Sequence, residues 1–251
     1  FNATPIAAAS IGQVHRATLP DGRELAIKVQ YPGVRESIDS DVDNVATLLR
    51  VSGVLPRELD LAPLLGEAKR QLHEEADYER EAAQMTRFAD WLDGHPDYIV
   101  PRPLHELTTA RVLAMDFIDG QPIEALDEAP QETRDAAMRD LIALVLRELF
   151  EFGAMQTDPN FANYRFQPDT GRLVLLDFGA TRDVDPATAE GYRTLLAAGL
   201  AGDREAVREA AQEAGFLGEA AIARHRPLVD RMIDIVVTEM NRPGPFDFGD
   251  R

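Results

Sequence analysis

The sequence predicts an α+β fold in two lobes, a small sheet-containing N-terminal lobe over residues 1–118 and a mainly helical C-terminal lobe over residues 119–251. Three observations predict it. Strand-like runs crowd the first part of the chain, around one stretch of helical periodicity. The remainder reads mostly as helix. A short polar connection at Asp119-Gly120 separates the two and implies a cleft.

Taken in order, IGQVHRAT (11–18) and ELAIKVQ (24–30) alternate like strands, and Asp21-Gly22 between them is a turn pair, so they form a hairpin. Ile38, Val42, Val45 and Leu48/Leu49 recur at helical spacing and predict a helix over about 35–50, punctuated by Pro56 and Pro63. A long acidic helix follows over about 64–92, with Leu65, Ala68, Leu72, Ala76 and Phe88 as its apolar stripe. YIVPRPLHEL and ARVLAMDFI supply two more strands. The segment 140–153 is apolar on nearly every side and reads as a core helix of the second lobe. From about 187 to 240 the pattern is helical again, broken near Gly215 to Gly218, with Asp185 as N-cap and Pro186 in the first turn.

Composition excludes several function classes. At 251 residues the chain can bury one large core or two modest ones. Apolar content of 45% is too high for a disordered chain. A formal charge of −18 repels duplex nucleic acid, and no basic patch opposes it, so no nucleic-acid partner is expected. With no cysteine there is no disulfide, thiolate nucleophile or Cys-based zinc site, and the five histidines lack metal-ligand spacing. No apolar run reaches the roughly 18 to 20 residues of a membrane span, and no signal peptide is visible.

Four pieces of chemistry lie along this plan. The stretch 7–14, AAASIGQV, fits the kinase phosphate loop G-x-G-x-x-G-x-V at Gly12 and Val14, with Ala7 and Ala9 where glycines would stand. Small residues let backbone N–H groups approach phosphates; alone, the segment reads more simply as a small-residue turn before a strand. Lys28 in LAIK sits like the lysine of V-A-I-K; facing inward it needs an anionic partner, and facing outward it is an ordinary strand lysine. In HEEADYEREAA (73–83), Asp77 and Glu81 share a helix face, either solvated or turned to the cleft where Glu81 meets Lys28. Asp158 and Asn163 have the spacing of D-x-x-x-x-N, and Asp177-Phe178-Gly179 follows after a span that suits a short hairpin. In the kinase scheme Asn163 and Asp177 ligate Mg²⁺, and Asp158 orients an acceptor hydroxyl or takes its proton. A lone DFG is weak evidence; the ordered set is strong.

PIAAASIGQVHRA, AIKVQYPGV, EADYEREA, MQTDPN and LLDFGATR together resemble the UbiB (AarF-domain) family of atypical kinases over almost the whole chain. The TDPN…N form and the final GPFDFG are similar to its coenzyme Q-associated branch. The resemblance implies a protein-kinase-like fold, Lys28 paired to Glu81, and ATP (or ADP) bound with Mg²⁺. The adenine would lie along Met115, Asp116, Phe117 and Ile118. Ala7, Ala8, Ala9 and Ser10 would form the family's alanine-rich loop, associated with unusual nucleotide selectivity and poor protein phosphorylation. Glu75 and Asp77 would be its E-x-D motif, which contacts an N-terminal helical extension carrying K-x-G-Q. Family members support ubiquinone biosynthesis and associate with membranes or lipid.

Some features depart from this pattern. No K-x-G-Q occurs in the chain, Gln156-Thr157 replaces His-Arg before Asp158, and nothing resembling A-P-E follows DFG. A peptide-binding activation segment has little room, which disfavours a protein acceptor. Two functions are expected to compete. One is an atypical kinase or ATPase acting on a small-molecule or lipid-like acceptor. The other is a nucleotide-gated scaffold for a biosynthetic complex. The Ala- and Arg-rich composition suggests a bacterial source, and with it a cytoplasmic setting or a peripheral one on the inner membrane.

Overall fold

A computed structural model describes residues 1–52 and 61–244. Pro56 therefore lies outside the described residues, as does all of the GPFDFG stretch beyond Gly244. The chain divides into two compact units, one of residues 1–147 with 155–182, the other of residues 148–154 with 183–251. The lobe boundary expected at 118/119 falls inside the first unit.

The first unit opens with an antiparallel sheet ordered β1-β2-β3-β5, from Ala7–Ala9, Gly12–Thr18, Glu24–Gln30 and Val112–Asp116. The expected hairpin is β2-β3, with Thr18 facing Glu24 and Gly22 at φ +91°, a conformation that glycine adopts without a Cβ clash. The alanine stretch, expected as a loop, is itself an edge strand, with Ala7 opposite Val14 and Ala9 opposite Gly12. Three methyl-sized side chains in extended backbone cost little there, and the turn is left to Ser10-Ile11. Leu25, Leu104 and Ala114 form the buried cluster beneath this sheet.

Helix α1 (Val34–Ser52) buries Ile38, Val42 and Ala46. Val45 and Leu48, expected in the stripe, point to solvent, because a true 3.6-residue period carries the face on to Ala46. The single helix expected over 64–92 is two helices, α2 (Ala62–Glu75) and α3 (Tyr78–Trp91). Asp77 breaks it. Its backbone is extended (φ −115°, ψ 91°), and its side chain accepts from the Arg80 amide as the N-cap of α3. Asp77 and Glu81 thus do not share a helical face; one caps the helix that carries the other.

A second sheet is ordered β4-β9-β8-β6, from Tyr98–Ile99, Arg172–Leu175, Tyr164–Gln167 and Gln121–Pro122. Its β8-β9 hairpin is the one expected between Asn163 and Asp177, turned at Gly171 with φ +73°. Helix α4 (Gln131–Arg147) ends in a π-helical turn over Glu148–Phe152. The expected core helix of the second lobe, apolar on nearly every side, is not met: α4 lies in the first unit, with Ile142, Val145 and Leu146 exposed. Short strands β7 (Ala154–Gln156) and β10 (Thr181–Asp183) flank the residues that carry the motifs.

The second unit is helical. Helices α5 (Pro186–Leu200), α6 (Arg204–Glu213) and α7 (Glu219–Met240) pack Val207, Val229, Ile233 and Val237 into one cluster. Asp185 caps α5 through the Ala187 amide, with Pro186 in the first turn, as expected. Asp203 caps α6 after Gly202, whose φ of +75° ends α5, a break not among those expected, and α7 is kinked at His225 ahead of Pro227.

A Cβ at Gly12 would lie 2.2 Å from the Val29 carbonyl oxygen, so the β2-β3 ladder closes only around glycine. Gly12→Ala should destabilise the chain by about 2 kcal/mol, or roughly 4–8 °C in Tm. Circular dichroism melting checks it; an unchanged Tm would contradict this packing.

Candidate active site

Lys28 lies on β3 opposite Leu113 of β5, its side chain only 7% exposed. An ammonium buried to that degree needs carboxylates. It has three contacts: Glu81 Oε1 at 2.9 Å, Glu81 Oε2 at 3.0 Å and Asp177 Oδ2 at 3.2 Å. Burial alone would lower its pKa, but Glu81 and Asp177 outweigh that and hold it above the ordinary lysine value. Glu81 is fully buried, one turn into α3, and the first helical hydrogen bond runs from its amide to the Asp77 carbonyl. The Asp77 cap thereby aims Glu81 at Lys28. Asp177 follows the end of β9, and its other oxygen, Oδ1, accepts from the Gly179 amide at 3.0 Å. Three elements distant in sequence meet at one ammonium.

In front of Lys28 lies a cavity of about 460 Å³, wholly within the first unit. This is a usual size for a small-molecule site. Most of the residues singled out from the sequence line it. Ala7, Ala8, Ala9, Ser10 and Val14 contribute from β1 and β2. Met115, Asp116, Phe117 and Ile118 come from β5 and the residues after it, and Asp158, Asn163 and Asp177 from the opposite side. Gly12 does not line it; its small size is required by Val29, not by a ligand. Glu81 stands behind Lys28. Glu75 ends α2 half-buried, where burial and then the Asp177 and Asp158 carboxylates push its pKa above the ordinary value.

Asn163 Nδ2 donates to the Asp158 carbonyl at 3.2 Å and to Asp158 Oδ2 at 3.1 Å. The amide nitrogen is thereby engaged, which leaves its oxygen as the atom to offer a cation. Asp177 and Asn163 together present hard oxygen donors of the kind Mg²⁺ takes, and a magnesium ion bound by one or two protein groups completes its shell with phosphates and water. No group of three His, Asp or Glu side chains among the described residues is placed to hold a metal.

Sequence reasoning missed two lining residues, Arg16 and Arg165, and two that stand beside the cavity, Tyr78 and Gln167. Tyr78 is fully buried with its ring 5.1 Å from Lys28 Nζ, and it follows Asp77 directly in the motif already noticed. Arg16 lies two residues past Val14, on the same strand face; it stacks 4.3 Å over the Phe117 ring and is ion-paired to Glu24. Arg165, two past Asn163, donates to the Gly120 carbonyl at 2.9 Å and Gln167 to that of Asp119 at 2.9 Å, pinning the connection to β8. Strand alternation from Val14 is the signal for Arg16; Arg165 is brought in by β8, which begins only after Asn163.

A sheet that buries a Lys–Glu pair beside a cavity, with a DFG segment after a hairpin, defines a protein-kinase-like domain. The ABC1 atypical kinase-like domain matches residues 1–211. The chain is 44% identical over 221 residues to "Atypical kinase coq-8, mitochondrial" of Caenorhabditis elegans, covering 86% of this chain and 29% of that protein. It is 40% identical over 217 residues to "Atypical kinase COQ8, mitochondrial" of Saccharomyces cerevisiae, covering 86% and 43%. The solved complex of Rv3197 with erythromycin from Mycobacterium tuberculosis is similar with a TM-score of 0.70 at 30% identity, over 85% of this chain and 54% of that one. The chain belongs to the ABC1 (UbiB) family of atypical kinases, in its coenzyme Q-associated branch. It spans less than half the length of these two curated relatives. Both are named mitochondrial, and the bacterial source expected from composition is not borne out. No helix among the described residues is long and apolar enough to cross a membrane.

Removing one partner of a buried pair strands the other charge. Lys28→Met should cost about 3 kcal/mol by urea unfolding, and the double variant Lys28→Met/Glu81→Met should recover most of it. Glu75→Gln relieves crowding with Asp177 and Asp158 in the metal-free chain. Because the Glu75 pKa is raised on folding, its ionised form is the destabilising one. The variant should therefore raise Tm by a few degrees at neutral pH, with the gain vanishing as pH falls below the ordinary carboxylate value.

Proposed function

We propose that this chain binds ATP or ADP with Mg²⁺ in the 460 Å³ cavity and acts as an atypical kinase or ATPase. The observation that carries the reading is the Lys28–Glu81–Asp177 cluster opening onto a cavity that also holds Asp158 and Asn163. Val14, Ala26, Met115 and Ile118 supply an apolar end that suits a purine, beside Phe117. The Ala7–Ala9 edge strand and Ser10 after it would bring backbone close to the phosphates with no bulk in the way. Lys28, released in part from Asp177, would contact phosphate oxygens while Glu81 keeps it oriented. Asp177 and the Asn163 oxygen would hold the magnesium, which supplies charge neutralisation at the phosphates. Asp158, tethered by Asn163 Nδ2, would receive the acceptor's hydroxyl proton.

The acceptor we infer is small or lipid-like. From Asp177 the chain runs through β10 directly into α5 at Pro186, which leaves no extended segment to present a peptide. The relatives named for COQ8 point to ubiquinone-type biosynthesis, and with it to a membrane surface or a biosynthetic complex as the setting.

Thermal unfolding tests the nucleotide site. Ligand at a hundredfold over Kd adds about 2.7 kcal/mol, which predicts a rise of roughly 5–10 °C. With ATP and Mg²⁺ the rise should appear, and Asp177→Asn should abolish its magnesium dependence. Asp158→Asn should keep the shift and lose turnover. Retained function in that variant would favour a nucleotide-gated scaffold over a catalyst.

A further inference from the structure

The three residues after Phe178 have their carbonyls gripped from two sides. Arg80 of α3 donates through Nη1 to the Gly179 carbonyl at 2.7 Å and through Nη2 to that of Thr181. The carbonyl between them, on Ala180, accepts from Thr157 Oγ1 at 2.7 Å and from the Thr157 amide at 3.3 Å. Gly179 and Ala180 form a turn, closed by the Thr181 amide donating to the Phe178 carbonyl at 3.1 Å, before β10 begins at Thr181; residues 179 and 181 offer their carbonyls to the helix and 180 to the loop that leads to Asp158.

Each gripping residue adjoins one of the groups placed at the site. Arg80 precedes Glu81 in the first turn of α3, and its own amide is the donor to the Asp77 cap. Thr157 immediately precedes Asp158, at the position where the kinase pattern has an arginine. Phe178 completes the anchorage, 1% exposed with its ring 4.9 Å from Phe88 of α3. A guanidinium suits the Arg80 position because its planar fork spans two carbonyls at once, which a lysine ammonium cannot do.

We propose that Arg80 and Thr157 are positioning residues for phosphoryl transfer: together they fix the Gly179–Thr181 backbone, and so hold Asp177 in register with Asp158 and Asn163 for a shared magnesium ion. The proposal rests on the nucleotide reading above. Neither side chain reaches the cavity, so each acts through the residue beside it. Misplacement of a reacting group by about 1 Å can cost on the order of a hundredfold in rate, which is why two latches on one tripeptide matter.

The test uses Thr157→Val, which keeps the shape and removes the hydroxyl, Thr157→Ser, which restores it, and Arg80→Lys. Nucleotide binding to this chain is measured with ATP in EDTA, then with ATP and increasing Mg²⁺; ATP turnover is measured in parallel. Thr157→Val and Arg80→Lys should keep the EDTA binding but need about tenfold more Mg²⁺ for half-maximal effect, the size of one lost hydrogen bond. Their kcat should fall while KM for ATP holds, and Thr157→Ser should recover both. Unchanged magnesium dependence in variants of a responsive parent would overturn this proposal alone. So would equal losses with and without Mg²⁺ that Thr157→Ser fails to repair, since that is plain unfolding. A parent chain with no magnesium-dependent response would overturn the nucleotide reading itself.

Discussion

The structure depends on one buried ammonium. Lys28 lies in a strand whose neighbours are apolar, at 7% side-chain exposure, and such a charge is tolerable only if carboxylates come to it. Glu81 arrives from α3 and Asp177 from the end of β9, so the contact specifies how helix, first sheet and second sheet are placed within the first unit. Net stability from such a pair is small, because desolvation offsets most of the Coulomb attraction. Its contribution is specificity. A displaced helix or strand end would leave a charge in the interior with no partner.

The helix break at Ala76-Asp77 is what lets α3 serve two sides. Asp77 leaves the helical region, caps the new helix through Arg80, and starts it at an angle that a continuous helix from α2 could not adopt. From that first turn Glu81 reaches Lys28 while Arg80 reaches the backbone beyond Asp177. Glu74 and Glu67 extend the same electrostatic pattern on α2, meeting Arg182 at 3.6 and 2.9 Å. These outer pairs are partly solvated and worth little individually, but they converge on the segment that carries the DFG glycine.

The proposed nucleotide would bring further negative charge to a chain that already carries −18. Four aspartates line the cavity, at 116, 119, 158 and 177. Against them stand Lys28, Arg16 and Arg165, with Arg16 already paired to Glu24 and Lys28 to two carboxylates. Magnesium is the natural remedy, since one divalent ion neutralises carboxylate and phosphate together. The acidic cavity therefore favours, in the proposed reading, the metal complex of a nucleotide over the free anion.

The sequence by itself determined the hairpin, the order of the motifs, the cap at Asp185 and the family, because each is written in local periodicity, turn chemistry or spacing. It also contained Lys28, Glu81, Asp158, Asn163 and Asp177, and the family resemblance implied the Lys28–Glu81 pair but not the contact of Lys28 with Asp177. The approach of Asp177 to Lys28, the strand made by Ala7–Ala9, and the outward turn of Ile142 and Val145 were decided only in three dimensions. So was the split at Asp77, where helical periodicity runs straight through and the competing cap hydrogen bond to Arg80 is invisible in a pattern of apolar residues. Periodicity reports which face of an element is apolar. Which partner covers that face, and which polar group ends the element, depends on contacts between residues far apart in the chain.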